Sequence, residues 1–271
     1  MEEEGRRGIV LTVFSTASAV GKTLIAVNMA AELTREGYRV AIADMDLQFG
    51  DVTNYLALPH EKTLFDAQKA ASENVDAFDV KEFLTPYYYK NWTFHVLPAP
   101  DKLEEAYNIQ TKAATHILSE IQYNFDFVVV DTTSAFSELN LALMDMSTII
   151  TFLGIVDFIP TIKNMKIGCD TIRSLGYENN KVRLVLNRSN SKTKIDLADV
   201  EALLGESFYH VLPNAFEPAK DSIEKGIPLV YTSDNGLSQD LKALVRKYTN
   251  REAEEGFGEN GGGWFSKLFK S

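Results

Sequence analysis

The triplet Gly21-Lys22-Thr23 has the residue types that phosphate chemistry uses. A loop that wraps phosphates needs backbone N–H groups turned inward, a lysine for the β- and γ-phosphates and a hydroxyl for Mg²⁺, in the spacing G-x-x-x-x-G-K-[ST]. The segment Ser15-Thr-Ala-Ser-Ala-Val-Gly-Lys-Thr23 completes the second half of that pattern and carries Thr16 where its first glycine belongs. A Gly-Lys-Thr triplet alone also suits a surface turn leading into a helix. Acidic residues elsewhere add to the phosphate reading. Asp44 and Asp46 close the apolar run Ala41-Ile-Ala43, and Asp131 closes Phe127-Val-Val-Val130 and leads into Thr132-Thr133-Ser134. Phosphoryl transfer from Mg·ATP needs carboxylates near the metal and the attacking water, although one such aspartate taken alone is more often a helix cap or turn residue.

These residues need a scaffold that gathers them at one edge. Gly8–Ser15 is a short apolar, β-branched run. A helical pattern follows from Thr23 to about Glu36 and stops at Gly37, and Arg39–Asp44 forms a second apolar run. Strand, loop, helix and strand in that order make the crossover unit of a parallel sheet. Further strands are expected at Phe94–Leu97, Phe127–Asp131, Thr148–Leu153, Val182–Asn187 and Phe208–Leu212, mostly as continuous apolar runs suited to burial on both faces. Helices are expected near Thr63–Ala71, Ile109–Tyr123, Ile159–Leu175, Asp196–Leu204, Pro218–Lys225 and Leu237–Tyr248. The predicted fold is an α/β doubly wound, mainly parallel sheet of about seven strands with helices on both faces. Loop, first helix and acidic strand ends would then share the carboxyl edge of the sheet. There the N–H groups of a helix end favour an anion.

Composition narrows the function classes. An apolar content of 45% with 24% charge is that of a folded globular chain. The net charge of -11 disfavours nucleic acid as a partner, since a phosphate backbone attracts basic surface. Cys169 is the single cysteine, so no intrachain disulfide or all-cysteine metal site is expected, and a buried small apolar role suits it. His60, His95, His116 and His210 are scattered without metal-ligand spacing and read as structural. No apolar run approaches a membrane span and the charged start lacks a signal-peptide core, so a cytoplasmic location is expected. The aromatic run Tyr87-Tyr88-Tyr89 near Trp92 suits either a partner surface or buried loop packing.

With these motifs in place, the chain resembles the MinD/ParA superfamily of deviant Walker A ATPases, whose loop reads K-G-G-x-G-K-[ST]. The aligned segment is Ala17-Ser-Ala-Val-Gly-Lys-Thr23. Asp44-Met-Asp46 is similar to the family's switch I, Asp131-Thr132-Thr133 to its Walker B and switch II, and Val185-Leu-Asn-Arg188 to its adenine-binding strand end. The run Asp44-Met-Asp-Leu-Gln-Phe-Gly-Asp51 resembles one branch, the CpaE/TadZ proteins that help place and assemble Flp-type (tight adherence) pili. Leu212-Pro-Asn214 and Gly226-Ile-Pro-Leu229 resemble that branch too. The receiver-like domain that often precedes the ATPase in this branch is not expected, because the first strand begins near residue 8.

The resemblance implies ATP and Mg²⁺ as cofactors and a role for each matching residue. Lys22 would hold the β- and γ-phosphates, and Thr23 and Asp131 the Mg²⁺, directly or through water. Asp46 would orient the hydrolytic water, Asp44 would support switch I and Asn187 would read adenine. Ser18, Ala19, Val20, Gly21, Leu24, Arg188 and Pro213 complete the implied nucleotide contacts. One departure stands out. Ala17 occupies the place of the family's signature lysine, the residue that reaches the partner's nucleotide in a dimer. Loss of such a cation removes charge stabilisation from phosphoryl transfer, so slow turnover is expected.

The predicted organisation is a tail over residues 1–7, an ATPase domain over 8–250, a linker over 251–263 and a terminal segment over 264–271. The linker Arg251-Glu-Ala-Glu-Glu-Gly-Phe-Gly-Glu-Asn-Gly-Gly-Gly263 has too little apolar content to pack. A helix over 264–270 would gather Trp264, Phe265, Leu268 and Phe269 on one arc, with Lys267 and Lys270 opposite. That pattern suits a membrane interface and resembles the C-terminal targeting helix of MinD; packing on the protein itself or on a subunit is the alternative. The expected function is an ATP-dependent homodimeric switch that positions a pilus or secretion machine at the inner face of the membrane or the cell pole. A non-hydrolysing scaffold and a DNA-partitioning ParA protein are the alternatives.

Overall fold

The computed structural model describes residues 7–73, 77–178, 180–189, 195–232 and 234–250. The first crossover unit is β1 (Ile9–Phe14), α1 (Lys22–Arg35) and β2 (Val40–Met45). After it come α2 (Val52–Tyr55), α3 (Leu64–Glu73), β3 (Thr85–Tyr89), β4 (Trp92–Leu97), α4 (Leu103–Tyr107), α5 (Thr111–Asn124) and β5 (Phe127–Thr132). The second half continues with α6 (Glu138–Met146), β6 (Ile149–Gly154), α7 (Ile159–Ser174), β7 (Val182–Leu186), α8 (Leu197–Leu204) and β8 (His210–Val211). It ends with α9 (Phe216–Lys225), α10 (Leu229–Thr232) and α11 (Gly236–Thr249).

These strands form one sheet in the order β3-β4-β2-β5-β1-β6-β7-β8, parallel throughout except for β3. Every residue of β1, β2, β5 and β6 is buried, as continuous apolar runs in a covered parallel sheet require. The alternation along β1 divides the two faces. Ile9, Leu11 and Val13 pack with α1 and α11, while Val10 faces the core of α3 and α5 and Phe14 the core of α7 and α8.

The sheet has eight strands where about seven were expected. The additional one is β3, whose sequence Thr85-Pro-Tyr-Tyr-Tyr89 hides a strand because Pro86 lacks a ladder donor. It is an edge strand, joined to β4 by the two-residue turn Lys90-Asn91, with Lys90 at a left-handed φ of 53°. In such a hairpin Tyr89 and Trp92 form the hydrogen-bonded closing pair, so alternate residues Tyr88 and Pro86 turn their backbone groups outward. The tyrosine run is therefore strand, with Tyr87 buried and Tyr88 exposed. The helix α6 was also not anticipated, nor were the one-turn helices α2, α4 and α10.

Among the described residues no helix is long and apolar enough to cross a membrane. Cys169 lies on the buried face of α7, and burial pushes its thiol up to about 12. The linker and the terminal segment with Trp264, Phe265, Leu268 and Phe269 lie outside the described residues.

Candidate functional site

The loop between β1 and α1 turns on two left-handed residues, Ala19 at φ 57° and Gly21 at φ 99°. A methyl group on Gly21 would sit 2.8 Å from Asn187 Nδ2, so both conformation and space call for glycine there. The helix α1 starts directly afterwards, with no side-chain cap and no acidic residue in its first turn. Its N-terminal N–H groups and the Lys22 charge thus remain available to an external anion.

Contacts across the sheet edge fix the chemistry-bearing side chains. Lys22 Nζ donates to Ser134 Oγ at 2.8 Å, and Ser134 Oγ donates to the Ala17 carbonyl at 2.8 Å. Thr23 Oγ1 donates to Asp131 Oδ2 at 2.6 Å, while Asp131 Oδ1 is buried without a partner. Asp44 accepts from the backbone N–H of Asp46 at 3.2 Å and of Val52 at 3.1 Å, which pins both ends of the loop after β2. Burial raises the pKa of all three aspartates. Asp131 is pushed up to about 7, opposed by the Thr23 hydrogen bond and the Lys22 charge. Asp44 stands well above the carboxylate range because of burial and the neighbouring Asp131 charge. Asp46, half-buried, is raised by burial and lowered again by Lys22.

The far wall is built from the end of β7. Asn187 Nδ2 donates to the Val20 carbonyl at 2.8 Å and its Oδ1 accepts from Arg188 N–H at 3.0 Å. An amide has two N–H groups and two lone pairs, so one of each remains for a ligand. The Arg188 guanidinium donates to the Ala19 carbonyl at 3.0 Å from a backbone at φ 57°.

Two adjoining cavities meet at Gly21, Leu24, Arg188 and Ile223. The first, about 750 Å³, is lined by Ser18, Ala19, Lys22, Thr23 and Asp46, with Ser134 and Tyr55. The second, about 440 Å³, is the more apolar, and Asn187 and Pro213 line it with Phe216, Ala219 and Leu237. A polar chamber that presents Lys22 and Arg188, beside a more apolar one, suits a nucleotide with phosphates in the first and base in the second. Val20 differs from its neighbours: its side chain is buried and only its carbonyl serves the loop. Asp44 and Asp131 lie buried beneath the chamber. Ser134 was not singled out in the sequence; its signal was a hydroxyl three residues beyond an acidic strand end.

Asp131 and Thr23 also provide the test for a divalent metal. An unpartnered buried carboxylate oxygen beside a hydroxyl is a hard-oxygen set of the kind Mg²⁺ takes. The histidines serve elsewhere. His60 Nε2 meets Asp101 Oδ1 at 3.0 Å and His210 Nε2 meets the Asp240 carbonyl at 2.8 Å. His95 packs on Phe125 with its pKa lowered by burial, and His116 lies against Phe78. No group of His, Cys, Asp and Glu among the described residues could hold a metal by protein ligands alone.

Comparison with known proteins bears on the fold and the family. The fold is similar to that of a ParA family ATPase from Chlorobium tepidum, with a TM-score of 0.79 at 17% identity over 89% of this chain and 98% of that one. It is also similar to the septum site-determining protein MinD of Pyrococcus horikoshii, solved with Mg-ADP, with a TM-score of 0.77 at 16% identity over 92% and 98%. In sequence, a probable plasmid-partitioning protein ParA of Thermus thermophilus is 28% identical over 145 residues, 51% of this chain. The match spans 42% of that relative's length. A family model matches residues 11–229, and the chain belongs to the CobQ/CobB/MinD/ParA nucleotide-binding domain family.

Proposed function

We propose that this protein is a slow Mg-dependent ATPase switch that dimerises on ATP to position or assemble a membrane-associated machine such as a Flp-type pilus. The observation that carries the nucleotide reading is the pairing of Lys22 with Ser134 and of Thr23 with Asp131 at the mouth of a two-chamber cleft. In this reading the phosphates take the Lys22 ammonium from Ser134, which keeps its bond to the Ala17 carbonyl. Thr23 and Asp131 would hold Mg²⁺, which would supply charge neutralisation to the phosphates. Asp46 orients the attacking water, and its raised pKa brings it nearer to a useful proton acceptor. Asn187 reads the base with its remaining amide valences.

Support for a positioning role comes from the neighbours, which by their names place septa and partition plasmids. The switch I run Asp44–Asp51 supports the CpaE/TadZ branch. The aromatic and basic sequence Trp264-Phe-Ser-Lys-Leu-Phe-Lys270 supports contact with a membrane surface. The net charge of -11 speaks against DNA as the cargo.

Ala17 favours a second reading, a scaffold that binds ATP without hydrolysing it, because no lysine is present there to stabilise the transition state. Single-turnover ATP consumption separates the two. Wild-type turnover above that of Lys22→Ala supports the switch; equality of the two supports the scaffold. ATP affinity in Lys22→Ala should fall about 10–100-fold, the size of a lost charge-assisted contact. Unchanged affinity would remove the phosphate assignment. Liposome co-sedimentation with and without ATP, compared with a chain ending at Gly263, tests the tail, and equal pelleting of both chains would reject it.

A further inference from the structure

Beneath the junction of the two cavities lies a buried polar network that the nucleotide reading does not use. Tyr55 Oη and Ser222 Oγ are 2.6 Å apart, and Asn28 Nδ2 donates to Tyr55 Oη at 3.1 Å and to the Leu24 carbonyl at 2.8 Å. Asn28 Oδ1 accepts from Val230 N–H at 3.0 Å, and Ser222 Oγ donates to the Ile227 carbonyl at 2.5 Å. All three side chains are buried. The network joins elements far apart in sequence: α1, which opens at Lys22, α2, which ends the loop carrying Asp46, and α9, which walls the base-side chamber.

Apolar residues would fill this space at lower desolvation cost, since a buried hydroxyl or amide is expensive unless bonded. What hydrogen bonds add is one fixed geometry, where apolar side chains slide. The Tyr55–Ser222 bond makes the position of α2 depend on that of α9. Two neighbours connect the network to the ligand space. Ile223, next to Ser222, lines both cavities, and Tyr55 itself lines the phosphate side. From α2 the chain runs back through Val52, whose N–H is held by Asp44, to Asp46.

We propose that Tyr55 is a positioning residue: through Ser222 it ties the base-side helix α9 to the loop 46–52, so that a base in its chamber sets where Asp46 stands over the phosphates. The proposal rests on the nucleotide reading of the cleft. It makes the loop respond to the base and not to the phosphates alone. A bare tripolyphosphate fills the phosphate side, where α9 contributes only Ile223; ATP also fills the base-side chamber, which Phe216, Ala219 and Ile223 of α9 line.

Amide hydrogen exchange of the full chain, followed over residues 46–56 with Mg²⁺ and saturating ATP or tripolyphosphate, tests this. In wild type, ATP should slow exchange in this segment about fivefold more than tripolyphosphate does, the size of one buried hydrogen bond. In Tyr55→Phe and in Ser222→Ala, each compared at ligand saturation, the two ligands should become equal; exchange in α5 stays unchanged, which reports an intact fold, and Ser222→Ala, whose side chain lines neither chamber, should still bind ATP as wild type does. Retention of the ATP-specific protection in both variants, or its absence from wild type that binds ATP, would overturn the positioning role alone. Failure of wild type to bind ATP would overturn the nucleotide reading and this proposal together.

Discussion

Asp131 is a carboxylate in a place that favours its acid form. Its folded pKa of about 7 lies above the ordinary 3.8, so the folded ligand-free protein binds a proton that the unfolded chain releases. The stabilising contribution is complete below about pH 4 and is lost as pH rises through about 7. Asp44, raised by the same burial, acts in the same direction. Asp131→Asn keeps an oxygen for the Thr23 hydroxyl and removes the charge. The ligand-free variant should therefore be more stable than wild type at pH 8, by about 2–4 kcal/mol, with the gap closing towards pH 4. Thermal denaturation across that range checks the sign, and a constant gap would mean that Asp131 does not titrate as burial implies. The variant should also lose the extra melting shift that Mg²⁺ adds to ATP, because the oxygen that would take the metal becomes an amide. A site destabilised when empty and stable when filled suits a protein whose two states differ by a ligand.

At the scale of elements, Thr16 takes the position where phosphate loops carry glycine, and α7 accommodates it. A methyl group on Gly168 of α7 would lie 2.5 Å from Thr16 Cγ2 and 2.6 Å from Phe152 Cζ. Gly168→Ala should cost about 1–3 kcal/mol in a denaturant melt. Adding Thr16→Gly should return only part of it, since the Phe152 ring remains in the way; full recovery would show that the loop alone sets the cost. This fit joins residues 152 positions apart in the chain, which no local pattern discloses. Motif spacing brought out Lys22, Thr23, Asp46 and Asp131 because strand ends and a helix start are local events. It did not bring out Ser134 on Lys22, or Tyr55 on Ser222, because those pairs exist only once α2, α9 and the turn after β5 are packed. The same limit holds for elements. Buried strands read clearly as continuous apolar runs, whereas β3 was obscured by Pro86.

At the scale of the molecule, the two margins of the sheet are unlike its centre. On one side β8 has two residues, too few for a useful template. On the other, β3 offers Tyr88 as its single outward N–H, because Pro86 occupies the next outward position. Pro86→Thr would restore the missing donor while leaving the bonds to β4 in place. Its expected outcome is concentration-dependent self-association by light scattering, accompanied by slowed exchange at Tyr88; a variant that stays as dispersed as wild type would show that the proline does not guard this margin. Copies brought together at high concentration thus meet, among the described residues, no continuous backbone ladder at either margin of the sheet. Association between copies is left to side chains, which can separate again without a shared sheet to break. Pro86 is thereby expected to keep encounters between copies reversible.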